Sequence, residues 1–154
     1  MKSTSDKFWL SNQRREKATK KGLSPYQVYT LASIVEEETN YDSDKSLIAS
    51  VYLNRLNKTM PLQACPTIKF AMQNFTLTRI YEKYLTNPSL YNTYNHKGLP
   101  PGPITMPSLI SIRAALHPAK TDALYFVGKG DGTHYFSANL NEHNNAVRKY
   151  QIKR

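Results

Sequence analysis

The sequence contains one cysteine, Cys65, which excludes an internal disulfide. It has no run of about 20 apolar residues, the length that a membrane-spanning helix requires. Cys65 and the four histidines do not follow the spacing of a metal site, and the glycines of the GKGDG segment form no phosphate-binding loop. The sequence therefore predicts a folded protein that needs neither a metal nor another cofactor.

Acidic residues are also scarce. The 11 Asp and Glu stand against 21 Lys and Arg, which gives a formal net charge of +10. This balance favours a polyanionic partner such as nucleic acid, an anionic lipid surface or an anionic cell-wall polymer. Half of the excess lies within residues 1–22, where a solvated basic helix face explains it equally well. No recognised nucleic-acid-binding motif accompanies the charge, so we expect no nucleic acid to be bound.

The pattern of apolar residues, caps and turns predicts a single α+β domain that is mainly helical and has one small antiparallel hairpin. Residues 1–7 are expected to be a disordered lead and residues 8–154 the folded domain. The clearest helix start is Ser24-Pro25-Tyr26-Gln27, which combines an N-cap serine, a proline at the first position and a capping box. Helices are expected at about residues 7–21, 24–38, 43–56, 66–72, 77–85, 108–116 and 140–150, with strands at 124–127 and 134–137.

A long segment from Tyr91 to Pro107 contains four prolines and two glycines, so it is expected to be irregular. The prolines restrict φ and make such a loop stiff for its length. Long ordered loops of this kind are usually functional. We expect the part from Gly98 to Pro103 to form one wall of a cleft.

Three consecutive glutamates, Glu36, Glu37 and Glu38, end the first strong helix. The negative end of the helix dipole and the crowding of like charges both raise the pKa of a carboxyl group there. A carboxyl that stays protonated near neutral pH is what a general acid requires. On a helical wheel Glu37 points away from the apolar stripe, whereas Glu36 and Glu38 lie at its opposite edges, so either can face a cleft. A solvated acidic patch is the competing explanation.

Cleavage of a glycosidic bond usually requires two carboxylates about 5–10 Å apart. The aspartates that could supply a second one have no convincing site context: Asp42, Asp44, Asp122 and Asp131. This scarcity favours the chemistry of a lytic transglycosylase, in which one carboxyl protonates the glycosidic oxygen and then accepts a proton from the sugar's own C6 hydroxyl. A Cys65 nucleophile with a histidine base is an alternative, although a lone cysteine is more often a small buried hydrophobe.

Several segments, taken together and in order, resemble the endolytic murein transglycosylases of the YceG-like family. The similarity runs from about Phe8 to Tyr150. Its blocks are LASIVEEET (31–39), VYLNRL (51–56), MPLQACPT (60–67), YNTYNHKGLPPGPI (91–104), AALHPAKTDALYFV (114–127) and HYFSANLNEHNNAVRKY (134–150). The resemblance implies cleavage of the β-1,4 bond between N-acetylmuramic acid and N-acetylglucosamine within a strand, with 1,6-anhydro-muramyl ends as products. It implies Glu36 as the single general acid/base.

On this resemblance, polar side chains that hydrogen-bond sugars are expected in the cleft. These substrate-binding candidates are Gln63, Asn92, Tyr94, His134, Asn54 and Glu38. Asn54 could orient Glu36 or make a structural helix-to-loop bond, and Tyr94 could equally pack in the core. Cys65 departs from the family pattern, since it stands where an L-Q-x-D-P-T segment usually has its acidic residue.

The resemblance also implies a cellular context. The family acts on peptidoglycan outside the cytoplasm, terminates growing glycan strands and carries an N-terminal membrane anchor and a LysM-like domain, both expected to be missing from this chain. Peptidoglycan glycan strands are the expected partner, and peptidoglycan synthases (penicillin-binding proteins) are further expected partners. Two alternatives remain open at this point: a non-catalytic glycan-binding domain and a basic nucleic-acid-binding module.

Overall fold

The computed structural model describes residues 22–74, 76 and 82–152. Five α-helices lie within these residues: α1 (Pro25–Glu38), α2 (Asp42–Asn57), α3 (Cys65–Ala71), α4 (Leu109–Leu116) and α5 (Leu140–Val147). A 3₁₀ helix spans Glu82–Thr86, and α5 continues as a π-helix over Arg148–Ile152. Strands β1 (Tyr125–Gly128) and β2 (His134–Ser137) form a two-stranded antiparallel sheet. The predicted α+β class is confirmed.

Some predicted elements lie outside the described residues. These are the lead at residues 1–7, the basic helix at 7–21 and most of the helix expected at 77–85. The described part of the helix expected at 77–85 belongs to the 3₁₀ helix and is not α-helical. No helix within the described ranges is long and apolar enough to cross a membrane.

Helix α1 begins as its sequence predicts. The Ser24 hydroxyl accepts from the Gln27 backbone N–H at 3.2 Å, and the Gln27 side chain accepts from the Ser24 N–H at 2.9 Å, so the capping box is complete. The helix buries an apolar face against α4 and α2. The core formed there contains Val28, Leu31, Ile34, Val35, Ile48, Tyr52, Ile112 and Leu116. Since α1 is held on both sides, the direction of its acidic C-terminal end is fixed.

The hairpin carries a glycine-rich turn that packs on the connection between α1 and α2. Strand register pairs Val127 with Tyr135. At the turn, a Cβ on Gly132 would lie 2.2 Å from Cε2 of Tyr41, and the φ of +93° at Gly132 is one that L side chains rarely adopt. The Tyr41 hydroxyl donates to the carbonyl of Asp131 at 3.1 Å. The turn therefore lies directly against the end of α1.

The proline-rich segment is irregular, as predicted, and it is anchored to the core from within. The buried Asn92 donates from its amide to the carbonyls of Leu85 and Asn87 and accepts from the Tyr94 N–H. Further along, the N–H of buried Ile104 donates to the Ser33 hydroxyl at 3.0 Å. These bonds satisfy buried backbone groups that no regular element pairs.

Candidate active site

Glu38 is the last residue of α1 and has a half-buried side chain at the edge of the core. The hydroxyl of Tyr52, which is buried in α2, donates to Glu38 Oε2 at 2.6 Å. Burial raises the pKa of Glu38, and the hydrogen bond from Tyr52 and the charges of His134 and Lys69 only partly oppose it. The side chain is therefore a held carboxyl with a raised pKa, which suits proton donation.

Glu38 lines two cavities. The first, which we call the aromatic cavity, has a volume of about 380 Å³. Its lining consists of Glu38, Val51, Tyr52, Arg55, Leu62, Gln63, Cys65, Tyr94, Leu124, Tyr125, Phe126, Leu140, His143 and Asn144. Apolar and aromatic walls with a few placed polar groups are typical of ligand sites.

The second, which we call the hairpin cavity, has a volume of about 390 Å³ and lies between the end of α1 and the hairpin turn. It is lined by Glu37, Glu38, Thr39, Asn40, Tyr41, Gly128, Gly130, Gly132, Thr133 and His134. Among the described residues, Glu38 alone lines both cavities. The Glu38 side chain therefore borders both spaces.

Glu36 lies in a different environment. Its Oε1 accepts from the Ser108 backbone N–H at 2.8 Å and from the Ser111 hydroxyl at 2.9 Å, at the N-terminus of α4. Its Oε2 lies 3.6 Å from the buried ammonium of Lys45. Partial burial alone would raise the pKa of Glu36, but the bonds from the two serines and the charge of Lys45 lower it to about 2. Glu36 is therefore an ionised carboxylate that stabilises a helix N-terminus.

The contacts of Glu36 give a stability prediction. We expect Glu36→Gln to lower the free energy of unfolding at pH 7 by about 1–3 kcal/mol, because a charged hydrogen-bond acceptor at a helix N-terminus is lost. The pKa is depressed from 4.5 to about 2 on folding, so this stabilisation is present above pH 4.5 and disappears as the pH falls towards 2. Urea unfolding at pH 7 and pH 3 measures it. Glu37→Gln, at an exposed neighbour, is the control, and equal losses in the two variants would contradict this role for Glu36.

Three other predicted site residues lie at the cavities. Gln63 and Tyr94 line the aromatic cavity, and His134 lines the hairpin cavity. His134 Nδ1 lies 3.1 Å from Asp44 Oδ2, and both side chains are largely buried. Gln63 has a φ of +52°, which is uncommon for a residue other than glycine.

The remaining two predicted residues occupy structural positions. Asn92 lies fully buried and makes the loop bonds described above. The side-chain amide of Asn54 donates to the carbonyls of Thr121 at 3.0 Å and Ala123 at 2.9 Å, which ties α2 to the segment before β1. The structure therefore brings Gln63, Tyr94 and His134 to the cavities around Glu38, but places Asn92 and Asn54 in the framework.

Sequence comparison places this arrangement in a family. The sequence profile of the YceG-like family matches residues 1–149. This chain belongs to the YceG-like family.

Named relatives and a solved structure agree with this assignment of the YceG-like chain. An endolytic murein transglycosylase of Bacillus subtilis strain 168 is 46% identical over 131 residues, which cover 85% of this chain and 36% of that protein. An endolytic murein transglycosylase of Streptococcus pneumoniae strain D39 is 37% identical over 135 residues, covering 84% of this chain and 24% of that protein. The chain thus spans between about a quarter and a third of these relatives' length.

The crystal structure of a YceG-like protein from Listeria monocytogenes superposes with a TM-score of 0.79 at 40% identity. The match covers 91% of this chain and 44% of that one. The fold described above is therefore shared with a solved member of the family.

Sequence reasoning missed several residues of the YceG-like site. One of them is Tyr52, because nothing in the sequence pairs its hydroxyl with Glu38, 14 positions away. Arg55 is buried beside the aromatic cavity, where Nε and Nη1 donate to the carbonyls of Leu124 and Pro61 at 2.7 Å each. Its guanidinium lies 5.0 Å from the centre of the Tyr125 ring, on which His143 also stacks. A lone arginine in a helical pattern gives no signal of such a position.

Cys65 also lines the aromatic cavity, and its Sγ lies 3.3 Å from the hydroxyl of Tyr94. Burial and the nearby Glu38 raise the pKa of this thiol, so it stays neutral. A neutral thiol at this position adds no charge beside Glu38. The described residues hold no group of three or more His, Cys, Asp or Glu side chains placed to bind a metal ion.

Proposed function

We propose that this chain is a peptidoglycan lytic transglycosylase that cuts glycan strands internally, with Glu38 as its single general acid/base. The observation that carries the proposal is the position of Glu38, a held carboxyl of raised pKa between two cavities. The names of the relatives in Bacillus subtilis and Streptococcus pneumoniae support the substrate class.

The proposed reaction needs one carboxyl and no water. Protonated Glu38 donates its proton to the oxygen of the β-1,4 bond between N-acetylmuramic acid and N-acetylglucosamine, and the bond from the muramyl C1 to that oxygen breaks. The N-acetylglucosamine leaves with a free C4 hydroxyl. The Glu38 carboxylate then accepts the proton of the muramyl C6 hydroxyl, whose oxygen bonds to C1. This step closes a 1,6-anhydro ring and returns Glu38 to its protonated form.

Glu38 is preferred over Glu36, the acid implied by the family resemblance, on electrostatic grounds. A general acid needs a pKa near the working pH. The pKa of about 2 at Glu36 keeps that group ionised at neutral pH, and its two oxygens are engaged by Ser108, Ser111 and Lys45. Neither cavity at Glu38 is lined by Glu36. Glu36 as the acid stays a prediction that the two substitutions compared in the Discussion decide.

Digestion of purified sacculi followed by mass spectrometry tests the proposal. We expect muropeptides with 1,6-anhydro-muramyl ends. Muramyl products with free reducing ends would show a hydrolase instead. If no product forms but the protein still co-sediments with sacculi, the glycan-binding alternative is favoured. Strongly salt-dependent binding to DNA would favour the nucleic-acid-binding alternative.

The cellular setting is part of the same proposal. A peptidoglycan substrate places the reaction on the extracytoplasmic side of the cell membrane. Anchoring by an N-terminal helix, a LysM-like domain and association with peptidoglycan synthases stay predictions from the family resemblance.

A further inference from the structure

The two cavities at Glu38 differ in charge. The aromatic cavity is lined by the cation Arg55, and among the described residues that line it Glu38 alone is acidic. The hairpin cavity is lined by Glu37 in addition to Glu38, and no lysine or arginine of the described part of the chain lines it. An anionic group of a ligand is therefore favoured on one side of the carboxyl and disfavoured on the other.

The positive charge of Arg55 has no anionic partner within the described part of the chain. Its Nε and Nη1 donate to neutral carbonyl oxygens, and no carboxylate of the described residues lies within 4 Å of it. Buried charges in proteins are usually paired, so an uncompensated cation at a cavity wall favours an anionic ligand. The neighbouring His143 responds to the same environment, because burial and the charge of Arg55 both lower its pKa and keep it neutral.

The histidine of the hairpin cavity already has an acidic partner. His134 contacts the buried carboxylate of Asp44. The other walls are backbone at three glycines, the neutral side chains of Asn40 and Thr133, and the carboxylate of Glu37. These groups suit the hydroxyls and acetamide of an uncharged sugar and oppose a carboxylate.

Peptidoglycan alternates a sugar that carries a carboxylate-bearing lactyl or lactyl-peptide group with a sugar that does not. Given the proposed function, on which this inference rests, we infer that the muramyl residue of the scissile bond occupies the aromatic cavity and the N-acetylglucosamine occupies the hairpin cavity. The strand then binds in one direction only. The muramyl C1 and C6 hydroxyl reach Glu38 from the side of Arg55.

A matched pair of isosteric substitutions tests this direction. Asn144 and Asn40 are both exposed, and each lines one cavity. Asn144→Asp adds a negative charge to the aromatic cavity, and Asn40→Asp adds one to the hairpin cavity. The substrates are peptide-free glycan strands with free lactyl carboxylates and the same strands after amidation of those carboxylates. The measured quantity is kcat/KM on free strands divided by kcat/KM on amidated strands.

We expect Asn144→Asp to lower this ratio about five- to ten-fold at low salt, because the added charge repels the lactyl carboxylate, and the effect should shrink in 0.5 M salt. Asn40→Asp should leave the ratio at its wild-type value, whatever its effect on the individual constants. A larger drop with Asn40→Asp would reverse the direction, and equal ratios in both variants would overturn the inference. Thermal unfolding of each variant checks that folding is retained.

A second ratio, the Kd for amidated strands divided by the Kd for free strands, separates this inference from the proposed function. Calorimetry measures it for the same two asparagine variants in a Glu38→Gln background. Wild type that binds strands but releases no anhydro products would contradict the proposed function, while the Kd ratio would still decide the direction. If strands do not bind at all, both fail.

Discussion

Glu38→Gln is expected to lower kcat for cleavage of glycan strands by about 10²–10⁴-fold, because the amide can neither donate nor accept the transferred proton. Glutamine keeps the shape of the side chain and can still accept from the Tyr52 hydroxyl, so Kd for the strand should change little. Release of anhydro-muramyl products, followed by mass spectrometry, gives kcat. Binding calorimetry gives Kd.

Glu36→Gln is the matched control, since it makes the same chemical change two residues earlier on the same helix. We expect it to keep kcat within about ten-fold of wild type at a temperature where both are folded, and to show the loss of stability predicted above. The assignment of Glu38 would be wrong if Glu36→Gln abolished cleavage by a folded protein while Glu38→Gln remained active. Such a result would return the acid/base role to Glu36.

Tyr52→Phe is expected to lower kcat by about 10–100-fold with little change in KM, since a hydrogen bond to a charged group contributes roughly 1.5–3 kcal/mol. The Tyr52 hydroxyl favours the ionised form of Glu38, so its removal raises the pKa of Glu38 further. The alkaline limb of the pH profile of kcat, which reports loss of the acid's proton, should therefore move to higher pH. Phenylalanine keeps the edge-to-face contact with Phe126, whose ring centre lies 5.9 Å away.

The contribution of Glu38 to the free energy of unfolding should depend on pH in the opposite sense to the contribution of Glu36. The pKa of Glu38 is raised on folding, so its protonated form stabilises the protein below pH 4.5 and this contribution is lost as the pH rises through the folded pKa. Tyr52→Phe should enlarge that loss. Tyr91→Phe, which deletes a hydroxyl from a ring packed on Phe70 at 4.5 Å, is the control. A shifted pH profile in both variants, or in neither, would contradict a specific role for Tyr52.

The helical part of the fold follows from local sequence signals. The capping serines Ser24 and Ser108 fix the starts of α1 and α4, and the observed α2 differs from its expected bounds by one residue at each end. Helix α5 ends sooner as an α-helix than expected and continues as a π-helix from Arg148. A π-helical stretch of five residues is too short for the spacing of apolar residues to distinguish it from an α-helix, so periodicity does not reveal it.

The different environments of Glu36 and Glu38 could not be predicted from local sequence signals. A helical wheel places Glu36 and Glu38 at the two edges of one stripe but does not say what faces each edge. The Ser108 N–H that holds Glu36 is 72 positions away in sequence, and the hairpin cavity beside Glu38 is built by residues 128–134. Which carboxyl has a lowered pKa and which has a raised one is thus decided by tertiary contacts.

The close contact between the hairpin turn and Tyr41 limits how this site can be redesigned. Position 132 strongly favours glycine, because its φ of +93° strains other residues and a Cβ would force the Tyr41 ring to move, so substitutions on that wall of the hairpin cavity are costly. The exposed Asn40, on the facing wall, is free of that constraint. A library intended to accept bulkier or modified sugars should therefore vary Asn40 and leave the turn untouched.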